Sequence, residues 1–151
     1  MPTQSSRFIS ALSLLMMAAC ATGQPDVGSE PRDNGVRNEN GATVLTGVAL
    51  TDGRGSLLGT MRGKIPNLRI HRPSNEPCPV INLRNVGSFN SEVVNPHVYV
   101  DGVRTTDTCV LESLRSDDVE SVEVYPMGFT PRPGYANHSH GLILVFMRSA
   151  G

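Results

Sequence analysis

The chain has 151 residues, with 13 lysines and arginines against 14 aspartates and glutamates and a formal net charge of -1. That balance, with no lysine-rich patch, gives nucleic-acid binding no electrostatic support, so nucleic acid is not an expected partner. Three cysteines, no tryptophan and few aromatic residues leave Val, Ile and Leu to build the core.

Residues 1–19 do not read as part of a fold. Arg7 and the amino terminus put positive charge ahead of FISALSLLMMAA. This apolar run of about a dozen residues is too short to span a bilayer and fits the core of a signal peptide. Ala18 and Ala19 then precede Cys20, which resembles a bacterial lipobox with Met17 where leucine is usual. The resemblance implies a mature chain that begins at Cys20 and inserts its acyl chains in membrane lipid. The alternative is a plain secretory signal with an incidental cysteine. Ala21 after the cysteine, rather than aspartate, fits sorting to the outer membrane. Residues 20–42 are rich in Gly, Pro, Asn and charge, and bury too little to offset ordering, so they read as a flexible tether. Cleavage leaves roughly 130 residues, enough for one small domain over residues 43–149.

TVLTGVAL reads as a first strand, and DGRGS as a turn. SLLGTMRGKI reads as a short helix capped by Ser56 and ended by Pro66. LRIH is a brief strand, RPSNEPCP a loop, and VINLR a strand with Ile81 and Leu83 on one face and Asn82 and Arg84 on the other. HVYVDG is a strand whose Asp101 and Gly102 signal a turn. Residues 108–116 read as a second helix, with Val110, Leu111 and Leu114 on its apolar side. VESVEVY is a strand with Val122 and Val124 facing in and Ser121 and Glu123 facing out. PMGFTPRPGYANHSHG is a loop. LILVFM is apolar throughout, which predicts a central strand buried on both faces. The expected fold class is α+β, a small mixed β-sheet with two short helices. In an exported chain, Cys78 and Cys109 can pair. The bridge would close about thirty residues and contribute an estimated 3–4 kcal/mol. The alternative is two separate buried thiols.

The order of these pieces is similar to the plug domain of TonB-dependent outer-membrane receptors. The resemblance runs over LLGTMRGKIPNLRI, VINLRN, VYVDGV, LESLRSDDVESVEVYPMG and GYANHSHGLILVFM, or residues 44–149. It marks Pro66, Asn67, Arg84, Asn85, Asp101, Gly102, Gly128, Gly134, Tyr135 and Gly141 as the plug-motif turn residues. Asn67 and Asn85 stand where the family has glycine. Asn is the side chain that best tolerates positive φ, so both turns are expected to survive. Tyr125-Pro126-Met127-Gly128 replaces a stretch that often holds a lysine. ATVLTG resembles the TonB-contact segment but reads equally as an ordinary first strand, which is the expectation here. No alternating lipid-facing strands follow to build a barrel, so the expectation is a plug-like module without its pore.

Chemistry is sparse. There is no phosphate loop and no Cys-x-x-Cys. His138 and His140 in NHSHG, joined by His71 or His97, are the nearest approach to a zinc set, and they read as polar loop residues. Asp117, Asp118, Glu120 and Glu123 read as a solvated acidic face. Ser56, Ser88 and Ser139 have no recognisable base. The expectation is no catalytic residues, no metal and no cofactor. The expected function is that of a non-catalytic envelope lipoprotein on the periplasmic side of the outer membrane. Its loops 85–97 and 126–141 would engage a ligand, an outer-membrane β-barrel or another envelope protein. The alternative is a structural lipoprotein, or a degenerate receptor fragment, without specific binding. Replacing Cys20 by Ala should move the protein from the membrane to the soluble fraction on fractionation; unchanged membrane attachment would count against acylation.

Overall fold

The computed structural model describes residues 34–53, 55–84 and 94–149. The signal peptide, Cys20, Ser88 and Asn85 lie outside the described residues.

Order begins earlier than Thr43. Strand β1 (Val36–Glu39) pairs antiparallel with β2 (Ala42–Thr46) around Asn40, φ 50°, and Gly41, φ 80°. Two consecutive positive φ values suit a tight hairpin, for which Asn-Gly is the preferred pair. The boundary at residue 43 is therefore corrected, because residues 36–42 form a strand and its turn rather than tether. Only Val36 of β1 is even half-buried, so the strand carries no apolar signature and is held by its ladder to β2.

The first strand is also shorter than TVLTGVAL. At Gly47 the backbone turns to φ 46°, and Val48–Thr51 becomes a helical turn, α1, with Ala49 and Leu50 fully buried. Among the described residues the α-helices therefore number three rather than two. Helix α2 (Leu57–Arg62) begins where expected: the Ser56 hydroxyl accepts from the Gly59 N–H at 3.3 Å. Its buried Leu57, Leu58 and Met61 supply packing that two glycines cannot. After Pro66, Asn67 takes φ 62°, as its place in the turn requires. Strands β3 (Arg69–His71) and β4 (Val80–Asn82) form a separate two-stranded sheet.

Strand β5 (His97–Val100) turns at Asp101, φ 46°, and Gly102, φ 82°, into β6 (Val103–Arg104). The Asp101 carboxylate also accepts from the Met147 N–H at 2.9 Å. Helix α3 covers only Val110–Ser113, and Leu114 is extended (ψ 134°), its carbonyl accepting from Leu57 N–H at 2.8 Å. Arg115 follows α3 and pairs with Asp117 at 2.6 Å, an exposed contact of small energetic weight. Strands β7 (Val119–Tyr125) and β8 (Leu142–Met147) complete a six-stranded sheet of order β1-β2-β7-β8-β5-β6. All neighbours are antiparallel except β5 and β8.

β8 is central, and its apolar run is divided between two clusters. Ile143 and Val145 join Leu45, Leu57, Met61, Leu111 and Val122 under the helices. Leu142 and Leu144 face the other way with Ala42, Val44, Tyr99 and Tyr125. Cys78 and Cys109 are bonded, S–S 2.06 Å, tying the loop before β4 to the start of α3 across 31 residues of sequence. Among the described residues no helix is long and apolar enough to cross a membrane. Replacing both Cys78 and Cys109 by Ser should cost roughly 3 kcal/mol of loop-closure entropy and lower the thermal midpoint by about 10–15 °C in calorimetry.

Candidate functional site

The pairing register gathers one end of the sheet. Thr43 sits opposite Val124, Tyr125 opposite Leu142, and His97 beside Leu142. The loop 126–141, which joins β7 to β8, therefore starts and finishes at this end, next to the start of β5. It does not project freely. Gly128 N–H donates to Tyr125 O at 3.0 Å, His138 N–H to Gly128 O at 3.1 Å, and Gly141 N–H to His138 O at 2.9 Å. The loop is thus closed on itself, an Ω-type arrangement. Gly128 has φ 72°, and a Cβ there would lie 1.6 Å from the His138 carbonyl oxygen, so no other residue fits. Arg84 clamps the start of the loop: its Nε donates to Pro126 O at 2.9 Å and its Nη2 to Met127 O at 3.3 Å.

From there the loop lies as a strap over the second face of the sheet. Glu123 projects into that face and is only 6% exposed. This corrects the outward, solvated reading of Glu123; Asp117, Asp118 and Glu120 are exposed as expected. The error has a physical source, since alternation along β7 gives two faces but does not reveal that a distant loop covers the second. Arg132 from the strap makes a two-pronged contact with Glu123, with Nε to Oε2 at 2.7 Å and Nη2 on Oε1. The Tyr125 hydroxyl donates to the same Oε2 at 2.9 Å. Burial pushes the Glu123 carboxyl up. The hydrogen bonds from Arg132 and Tyr125, with the Arg132 charge, outweigh it and hold the group below the usual carboxylate range. Burial and the Glu123 carboxylate push the Tyr125 phenol up. Arg132 also lies over the Phe146 ring at 4.9 Å, and Tyr135 meets Tyr99 edge-on at 5.0 Å.

The strap ends on a histidine stack. His97 of β5 and His138 lie with ring centroids 3.6 Å apart and 20° between planes, and His140 follows at 5.3 Å from His138. Arg104 of β6 donates from Nη2 to His97 Nε2 at 2.7 Å. That bond requires the lone pair on Nε2, so the neutral His97 ring carries its proton on Nδ1. The Nδ1 atoms of both His97 and His138 are buried without a partner. Such a group costs about 1–3 kcal/mol. Burial, His138 and Arg104 bring His97 down to about 4, and burial, His140 and Arg104 also lower His138. Both rings are therefore neutral at pH 7. An open groove of about 340 Å³ runs past His97, Arg104 and His138, between Asn95 and Thr108.

The residues marked in the sequence are thus partly convergent. Arg84, Gly128, Gly134, Tyr135 and Gly141 belong to the strap or its clamp, with φ 90° at Gly134 and 105° at Gly141. Asp101 and Gly102 shape the β5–β6 turn, and Pro66 and Asn67 lie after α2 on the helical side. His97 joins His138 and His140, whereas His71 stands on β3 outside the stack. Among the described residues, the trio of possible metal ligands that converge within 4.8 Å is Cys78, Asp107 and Cys109, whose sulfurs are spent in the disulfide. Arg104, Glu123 and Arg132 carry the electrostatics of this face and were not singled out as a set by sequence. The available signal was a glutamate two residues from a tyrosine on one strand, facing a loop with one arginine between prolines.

Replacing Arg132 by Ala should destabilise the protein by about 1–2 kcal/mol at pH 7, discounted because Arg132 is half-exposed. The sign with pH is specific. Glu123, with its folded value depressed, adds stability that is fully present above the usual carboxylate range and is lost as pH falls through the lowered folded value, so denaturant midpoints of the two proteins should converge on acidification below the usual carboxylate range.

No protein-family model matches the chain, and no curated protein sequence matches it. Among solved structures, the fold is similar to part of a chain of the RagAB peptide importer in its closed-closed state, with TM-score 0.52 and 16% identity. The alignment covers 74% of this chain and 13% of that one, so the chain spans a small fraction of the importer chain's length. At that identity the likeness is one of fold.

Proposed function

We propose that the chain is a non-catalytic, plug-like binding module of the bacterial envelope. In this reading it is anchored to the outer membrane through acylated Cys20 and engages an outer-membrane protein or ligand through the end of the sheet where the strap lies. The observation that carries the reading is the strap itself. A loop fixed by Arg84, Glu123 and its own turn bonds presents Met127 and Phe129 to solvent at 60% and 64% exposure. Apolar side chains on a rigid loop suit recognition, because little ordering entropy remains to be lost on contact. The fold's likeness to a segment of a peptide-importer chain, with the plug-like order of motifs, supports the envelope setting of this reading. A tether would raise the module's local concentration near membrane partners.

A photo-crosslinking residue at position 129, in cells grown to expose the native envelope, should yield one saturable adduct with an outer-membrane protein. The Arg132→Ala variant, with its strap loosened, should reduce that yield several-fold. A clean blank at 129 and at 127 would favour the structural lipoprotein.

A further inference from the structure

We propose that the groove between β5, β6 and the His138 turn is a binding site for an oxyanion, a carboxylate or a phosphate group, held by Arg104 against the stacked His97 and His138. This deepens the reading of the strapped end as the binding end by naming the ligand chemistry there.

The site is built from three separate segments. β6 supplies Arg104, β5 supplies His97, and the strap supplies His138 with His140 behind it. The Arg104 side chain is exposed, and its recorded bond uses one N–H on His97, leaving the rest of its donor fork for an incoming oxyanion. Thr106 and Thr108 line the same groove. Among the described residues that line the groove the acidic one is Asp107, and both its oxygens are engaged, by the Cys109 N–H at 2.9 Å and by the Thr106 hydroxyl at 3.2 Å. No carboxylate forms an ion pair with Arg104 among the described residues. Besides the Asp107 carboxylate, the described lining therefore holds one permanent cation and two titratable rings, which burial first, and the neighbouring charges second, keep uncharged.

An anion against Arg104 changes that balance. Its charge offsets the repulsion between the guanidinium and the rings, so a ring can take up a proton from solvent and become a donor at both nitrogens. Binding and protonation are linked and reciprocal: an anion that raises a ring's proton affinity is itself held more tightly when the ring is charged. A divalent cation is disfavoured in the same place, since the guanidinium bonds the His97 nitrogen that would ligate it.

The test follows the histidine Cε1–H resonances of the full chain across pH 4–8 with inorganic phosphate, with acetate, or with sodium chloride at equal ionic strength. The expected result is an upward move of the His97 or His138 midpoint by about one pH unit, a tenfold coupling, with at least one oxyanion and not with chloride. A response to phosphate alone assigns a phosphate group, and a response to acetate a carboxylate. The response should persist in Arg104→Lys and vanish in both Arg104→Ala and Arg104→Gln, with amide spectra reporting that each is folded. Equal midpoints in all three salts, or a response that survives loss of the Arg104 charge, would overturn the site. The crosslinking result bears on a protein partner and this titration on the anion, so each can fail alone.

Discussion

β8 carries apolar side chains to both sides of the sheet, and this imposes a demand on everything around it. Ile143 and Val145 require one cover, Leu142 and Leu144 another. Helices α1, α2 and α3 meet the first demand. Among the described residues no helix is left for the second, and loop 126–141 meets it. Such a loop has to satisfy its own backbone while lying on apolar surface. It does so through the Gly128–His138 closure and the Arg84 clamp. The buried Glu123 follows from the same arrangement: it gives the strap a fixed partner within the covered face. A salt bridge in that position contributes more to where the strap sits than to net stability, since burying both groups is itself costly.

Much of the sheet was legible in the sequence because its signals are local. VINLR alternates, and Leu83 is buried while Asn82 is exposed. LILVFM is apolar throughout and lies centrally. Asp101-Gly102 and Ser56 each carry a turn or cap that acts within three residues. Asn67 adopts the positive φ that its place demanded. The pairing of Cys78 with Cys109 was one of two open readings, and the structure contains the bond.

What was not legible depends on contacts between distant residues. Asn40-Gly41 was a hairpin signal as strong as Asp101-Gly102, yet the polar VRNE before it offered no apolar pattern to support a strand. Gly47 divides what reads as one β-rich run into a strand and a buried helical turn. Glu123 looked solvated because a strand's own sequence does not show what packs on its far side. The histidines of the strap looked like loop polarity, and only the fold brings His97 from β5 and Arg104 from β6 to them.

The sheet order carries a consequence for how the protein is made. β2, near the amino end, has β7 as its inner neighbour, with Thr43 opposite Val124 some eighty positions later in the chain. β5 likewise waits for β8. No interior strand of the main sheet has both neighbours before β7 is present, and β5, β7 and β8 wait for β8 itself; pairings of such long sequence separation form slowly. Until β7 and β8 are both present, only hairpins between strands adjacent in sequence, such as β1–β2 and β5–β6, can close, so the two-faced core is completed late and all at once.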